Sequence, residues 1–229
     1  MCASVEVINE YLGKPVYDPY GRRLGYIVSF YSDVDGRIRS IEVNIHDTDY
    51  MEIPIERFKV TAEGIILMPE YEFNALIVEN RLRVVKSRLS SLEELYSRKE
   101  IPTHVYENLK KGLDDELATV KNKAKEVKDQ LRKRLHEVEE QLSEVEKAIG
   151  ALKTSYLAGE IQEKSYLTAL DMMKKTLEIL VKEKDSLKKH LDKIESLEAL
   201  PLATAIGATQ QKETTQEKPS QPINVVLVE

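Results

Sequence analysis

In 229 residues the chain has no tryptophan, one cysteine, three phenylalanines and nine glycines. Each shortage excludes something. Cys2 stands alone, so no intrachain disulfide can form, and a reducing compartment is the simplest setting. No stretch approaches the roughly 18 consecutive apolar residues of a membrane span. The start, MCASVEVINEYLG, carries two acids and lacks the basic head and apolar run of a signal peptide. The expectation is a cytoplasmic protein, at most peripheral to a membrane. Catalytic signatures are missing too. There is no Walker A loop, no GxGxxG, no Cys/His metal spacing and no nucleophile elbow, and His46, His104, His136 and His190 stand singly. Asp33-Val34-Asp35-Gly36 resembles the start of a calcium loop, but Glu42 falls in a regular strand pattern and a hairpin turn explains it better. A non-enzymatic protein without cofactor or metal is expected.

What is present is charge and periodicity. Asp, Glu, Lys and Arg make up 32% of the chain, with a net charge of −6. Abundant Leu, Lys and Glu with few aromatics is the bulk composition of a long helix or coiled coil. The order of patterns predicts an α+β chain in four parts: a small β domain over 1–70, a helical coiled-coil region over 71–199, a disordered linker over 200–221, and a partner-binding strand over 222–229.

In the first part, Ile41, Val43 and Ile45 alternate with Ser40, Glu42 and Asn44, the period of a strand with one buried face. Turns at Asp18-Pro19-Tyr20-Gly21 and Asp33-Val34-Asp35-Gly36 separate short strand candidates, and MEIPI, RFKV and GIILMP add three more. Five or six short strands in so few residues favour a small barrel, which removes exposed edges.

From Tyr71 the period changes. Ala75, Val78, Leu82, Val85, Leu89, Leu92 and Tyr96 form a heptad seam; a longer one runs from Leu113 to Tyr156, and a third from Tyr166 to Ile194. The long seam has two successive four-residue steps at Val127, Leu131 and Leu135, a stutter that locally unwinds a supercoil. Lys184 falls on a seam position, where a polar residue costs stability but fixes register. The pattern Tyr-x-x-x-Glu-Ile-x-x-x-x-Tyr occurs at 96–106 and again at 156–166. Pro102 suits the first turn of a new helix and Gly159 a helix end. The spacing predicts helices over about 71–98, 103–157 and 162–198, with two corners folding the outer helices along the long one. A continuous kinked rod is the alternative.

The rod is neutral as a whole, with 25 basic and 25 acidic residues over 72–200, but it is blocky. Lys121, Lys123, Lys125, Lys128, Arg132, Lys133 and Arg134 precede an acidic run from Glu137 to Glu146. Three readings follow: solvated flanks, staggered pairing between molecules, or a stripe of Lys121, Lys125, Lys128 and Arg132 that holds phosphates of DNA or anionic lipid without sequence preference.

The ending, QPINVVLVE, is apolar after a polar stretch. Pro219 and Pro222 hold the approach extended, and a strand here suits β-augmentation of a partner. The competing reading folds it onto the protein's own barrel. That reading is disfavoured if a rod of about 80 Å keeps the two apart.

The first region resembles a PRC-barrel domain through Gly13, Val16, Asp18, Gly21, Leu24 and Gly25, in the pattern G-x-x-V-x-D-x-x-G-x-x-L-G. Barrel, coil with YxxxEI corners and Pro-flanked final strand together resemble the CdvA family of archaeal cell-division proteins. That resemblance implies filaments at the mid-cell membrane, association with DNA, and recruitment of the ESCRT-III homologue CdvB. The recruiting peptide would correspond to Pro222, Ile223, Val225, Val226, Leu227 and Val228, which would add a strand to a winged-helix-like domain of CdvB. Charged Glu229 at the end departs from the family pattern.

Overall fold

A computed structural model describes residues 5–45, 48–61 and 64–199. Helix α1 (Val5–Asn9) precedes six strands, β1 (Pro15–Tyr17), β2 (Arg23–Ser32), β3 (Ile38–Ile45), β4 (Asp49–Pro54), β5 (Phe58–Thr61) and β6 (Gly64–Leu67). They form one sheet in the order β4-β3-β2-β1-β6-β5, with a single 3-10 turn, Ile55–Arg57, joining its two end strands. All neighbours are antiparallel except β1 and β6. Apolar residues from the strands wrap one core, in which Val16, Ile27, Ile41 and Val43 are fully buried. Ile8 of α1 enters this core, a helix that the short N-terminal sequence did not announce.

The glycines of the first motif have separate duties. Gly13 and Gly21 take φ of 75° and 96°, which side-chain-bearing residues rarely adopt. Gly25 has ordinary backbone, but a Cβ there would run into the Asn44 carbonyl of β3. The motif therefore encodes two turns and one close strand crossing.

Three helices follow: α2 (Glu70–Ser97), α3 (Thr103–Leu157) and α4 (Glu163–Ala199). At 1.5 Å per residue the 55 residues of α3 extend about 80 Å. Both α2 and α4 pack antiparallel on it and meet at its centre. There they run parallel to each other, as the pairings of Glu72 with Ser186, Glu79 with Lys193 and Lys86 with Glu198 show. The three seams merge into one core whose innermost members include Leu82, Ala124, Val127, Leu131, Leu187 and Ile194, all fully buried. The stutter lies here, where α3 must face two partners at once.

The two corners are built alike. Tyr96 stacks on Tyr106 and Tyr156 on Tyr166, each pair with ring centroids 4.1 Å apart. In each, the chain leaves the helix through a left-handed residue, Lys99 (φ 59°) or Gly159 (φ 77°). Glu100 then donates its amide to the Leu95 carbonyl and Glu160 to that of Ser155, the paired bonds of a Schellman ending. Pro102 lies one position before α3 proper, as its N-cap.

The junction of barrel and rod as the candidate site

The barrel joins the rod through a cluster of buried charges. Asp18, 5% exposed, organises the turn before β2: its Oδ1 accepts from the amides of Tyr20 (2.9 Å) and Arg22 (2.8 Å). Its Oδ2 lies 2.8 Å from Arg22 Nε, an ion pair whose N–H is not aimed at the oxygen. Thus the motif aspartate shapes the loop that carries Tyr20 and Arg22 to the helices.

Arg22 reaches across to Glu183 of α4, whose side chain is 0% exposed. The Tyr71 hydroxyl donates to Glu183 Oε1 at 2.7 Å, and Arg134 of α3 donates from Nε at 2.7 Å and from Nη2 at 3.2 Å. One carboxylate thus ties together the barrel, α2, α3 and α4. Burial pushes its carboxyl up, but the donors Arg134 and Tyr71 and the charge of Arg22 outweigh that and hold it below the usual range. Burial and the Glu183 acceptor push the Tyr71 hydroxyl well up.

A second carboxylate, Glu72, accepts from the Tyr20 hydroxyl and from Ser186. Burial, then the bond to Glu72, raises the Tyr20 hydroxyl far above its ordinary value. A third, Glu79, contacts His190 Nδ1 at 2.5 Å and Lys193 at 2.6 Å. Burial opposes its ionisation, and the bonds from His190 and Lys193 outweigh burial, so its carboxyl too is held low. Sequence reasoning missed Glu72, Glu79 and Glu183. They sit beside seam positions, and nothing local distinguishes them from exposed flank acids. The signal was the third helix, because each faces the α2–α4 contact. Lys184, assigned to a seam position, is instead half-buried and pairs with Glu139 at 2.9 Å. At this level of the rod the polar group that is fully buried is its neighbour Glu183.

The basic stripe is divided. Lys128 pairs with Glu198 at 2.5 Å and Arg132 with Glu195 at 3.0 Å, both across to α4. Lys121 and Lys125 are exposed, and neither has an ion pair among the described residues. The chemistry of the stripe is therefore partly committed to holding α4 in place. Pro222, Ile223, Val225, Val226, Leu227 and Val228 lie outside the described residues. Among the described residues no group of His, Cys, Asp and Glu could hold a metal ion, and no helix is long and apolar enough to cross a membrane.

A six-stranded sheet curled on its own core, held by a carboxylate clasp against the middle of a three-helix rod, defines a barrel-and-coil protein. The PRC-barrel domain model matches residues 5–73, and the CdvA-like coiled-coil domain model matches 70–219. Cell division protein A of Sulfolobus acidocaldarius is 32% identical over 100% of this chain and 99% of its own length. The chain belongs to the CdvA family. No solved structure matches it.

Proposed function

We propose that this protein is a cell-division scaffold that assembles through its helical rod and recruits an ESCRT-III-like partner, CdvB, through its C-terminal strand at the division site. The observation that carries the reading is the match to Cell division protein A along all of the chain, tail included. Assembly is supported by the arm in which α3 and α4 run on beyond the three-helix centre. There only two helices pair, and Leu142, Val145, Ile149, Leu152, Leu170, Met173 and Leu177 remain half-buried. A second molecule can finish that burial, as two-stranded seams do in larger bundles.

Recruitment is supported by the composition of the end. A polar segment followed by Ile223, Val225 and Leu227 on one strand face, and Val226 and Val228 on the other, fits a peptide pressed onto a sheet edge. Copies repeated along a polymer multiply a weak strand contact into avidity. The competing reading, a nonspecific DNA or membrane-phosphate binder, rests on Lys121, Lys125, Lys128 and Arg132, and two of those four already pair with α4. No catalytic role is assigned to the clasp, whose carboxylates and guanidinia neutralise one another.

Binding of the purified C-terminal domain of a CdvB-type protein tests the recruitment half. The full chain should bind it and a version ending at Ser220 should not. Equal binding by both would remove the tail from the account, while the Lys121→Glu, Lys125→Glu double variant should bind as the parent does.

A further inference from the structure

The sheet has an open end. Strand β4 pairs with β3 through all six of its residues, Asp49 to Pro54, and is the last strand of the sheet. Its outer edge carries no strand among the described residues, and Tyr50 and Met51 are 63% and 49% exposed. Beside it, exposed Met51, half-buried Leu24 and Ile45, and buried Ile53 and Leu67 line a cavity of about 370 Å³ between the barrel and the rod, with Arg57 and other charged residues of the junction on its remaining wall. Unpaired edges of this kind accept a further strand. The chain itself supplies a strand of matching length. Residues 223–228 are six, apolar on both faces but for Asn224, whereas β5, at the other end of the sheet, offers only four positions.

Distance would stand against this pairing if a rod of about 80 Å lay between the tail and the barrel. The course of α4 removes it. Lys86 donates to the carbonyl of Glu198 at 2.9 Å, so α4 ends beside Lys86 of α2. From there back to Glu70, where α2 leaves the barrel, is sixteen residues of helix, about 24 Å. The segment 200–221 has 22 residues. A chain of that length has a root-mean-square span of about 26 Å if it behaves as a coil. Effective concentration peaks when span and linker length agree, and it then reaches the millimolar range.

We propose that the C-terminal strand, residues 222–229, docks in cis on the outer edge of β4 as a seventh strand that covers the open side of the barrel. The docking is intramolecular and does not depend on which partner the tail recruits. Where a partner also takes this strand, the barrel edge competes with it. The free strand is then exposed only when it is captured, and solitary molecules are kept from pairing edge to edge.

Hydrogen exchange read by mass spectrometry tests it on three proteins: the full chain, a version ending at Ser220, and the full chain with Val225→Asp and Leu227→Asp. The β4 amides that do not bond to β3 should exchange about tenfold more slowly in the full chain than in either variant, as a millimolar effective concentration gives for a weak strand contact. An equimolar mixture of the full chain and a uniformly 15N-labelled version ending at Ser220 separates cis from trans, because the β4 peptides of the two then differ in mass. In cis, the truncated chain keeps its fast exchange. Equal β4 exchange in all three proteins overturns the docking, and slowed exchange of the truncated partner in the mixture overturns its intramolecular form.

Discussion

The centre of the rod and its two arms are built from the same heptads, yet they are held differently. At the centre three helices close on Leu82, Val127, Leu131 and Leu187, which see no solvent, and around them every buried carboxylate has cationic or hydroxyl donors. In the arm where α3 pairs with α4 alone, two helices do not enclose the seam, and Leu142, Val145, Ile149 and Met173 stay half-buried. The difference teaches that heptad spacing specifies a facing surface but not how much of it is covered. The number of helices at each level decides that, and with it where stability and where assembly reside.

Truncating the seam at both levels breaks the comparison most sharply. Leu131→Ala should cost about 3–5 kcal/mol, because the site is closed on all sides and leaves a cavity. Leu142→Ala, in the arm, should cost about 1 kcal/mol in the monomer, since its side chain is already partly wet. Chemical denaturation of both variants measures the gap, and equal costs would contradict a three-helix centre. Next in size is the clasp. Glu183→Leu strands Arg22, Arg134 and Tyr71 without their shared acceptor and should lose about 3 kcal/mol in thermal or urea unfolding. The mutation of exposed Glu140 should lose nearly nothing.

Acidification probes the same centre more gently. Glu79 and Glu183 have folded-state values below the ordinary carboxyl value of about 4.5. Their contribution is therefore complete above the unfolded-state value and is lost as pH falls through the folded-state ones. Stability should drop below about pH 4.5, and Glu183→Gln should flatten that slope when unfolding is followed from pH 6 to pH 3. The smallest expected effect compares the two corners. Lys99 holds the left-handed position that Gly159 fills without strain, so Lys99→Gly should stabilise and Gly159→Ala destabilise, each by about 1 kcal/mol. The two changes should shift the melting temperature in opposite directions.

Much of this architecture is legible in the sequence because it is written in local periodicity. The alternation at Ile41, Val43 and Ile45 marks β3, and the seam from Ala75 to Leu92 coincides with residues the rod buries. The repeated YxxxEI pattern marks two corners that share a backbone ending and a stacked tyrosine pair. The clasp is not legible, since Glu72, Glu79 and Glu183 become internal only when α2 and α4 lie side by side, more than a hundred residues apart in sequence. Lys184 shows the limit of a seam assignment. One step along the helix, Glu183 takes the buried place because Arg22 and Arg134 converge on it. In the basic block, Lys128 and Arg132 meet acids of α4 that no local window contains.

The return of α4 to the side of α2 underlies the clasp, the exposed arms and the reach of the tail, so one distance tests the account most directly. With Cys2→Ser, spin labels at Asn80→Cys and Lys193→Cys lie on neighbouring turns of α2 and α4, which line one groove. Pulsed dipolar spectroscopy should return a narrow distance below about 25 Å within a single chain, given the 8–10 Å separation of packed helices and the length of two labels. A continuous rod would put the same positions about 170 Å apart, and the absence of any short intramolecular distance would contradict the folded-back architecture.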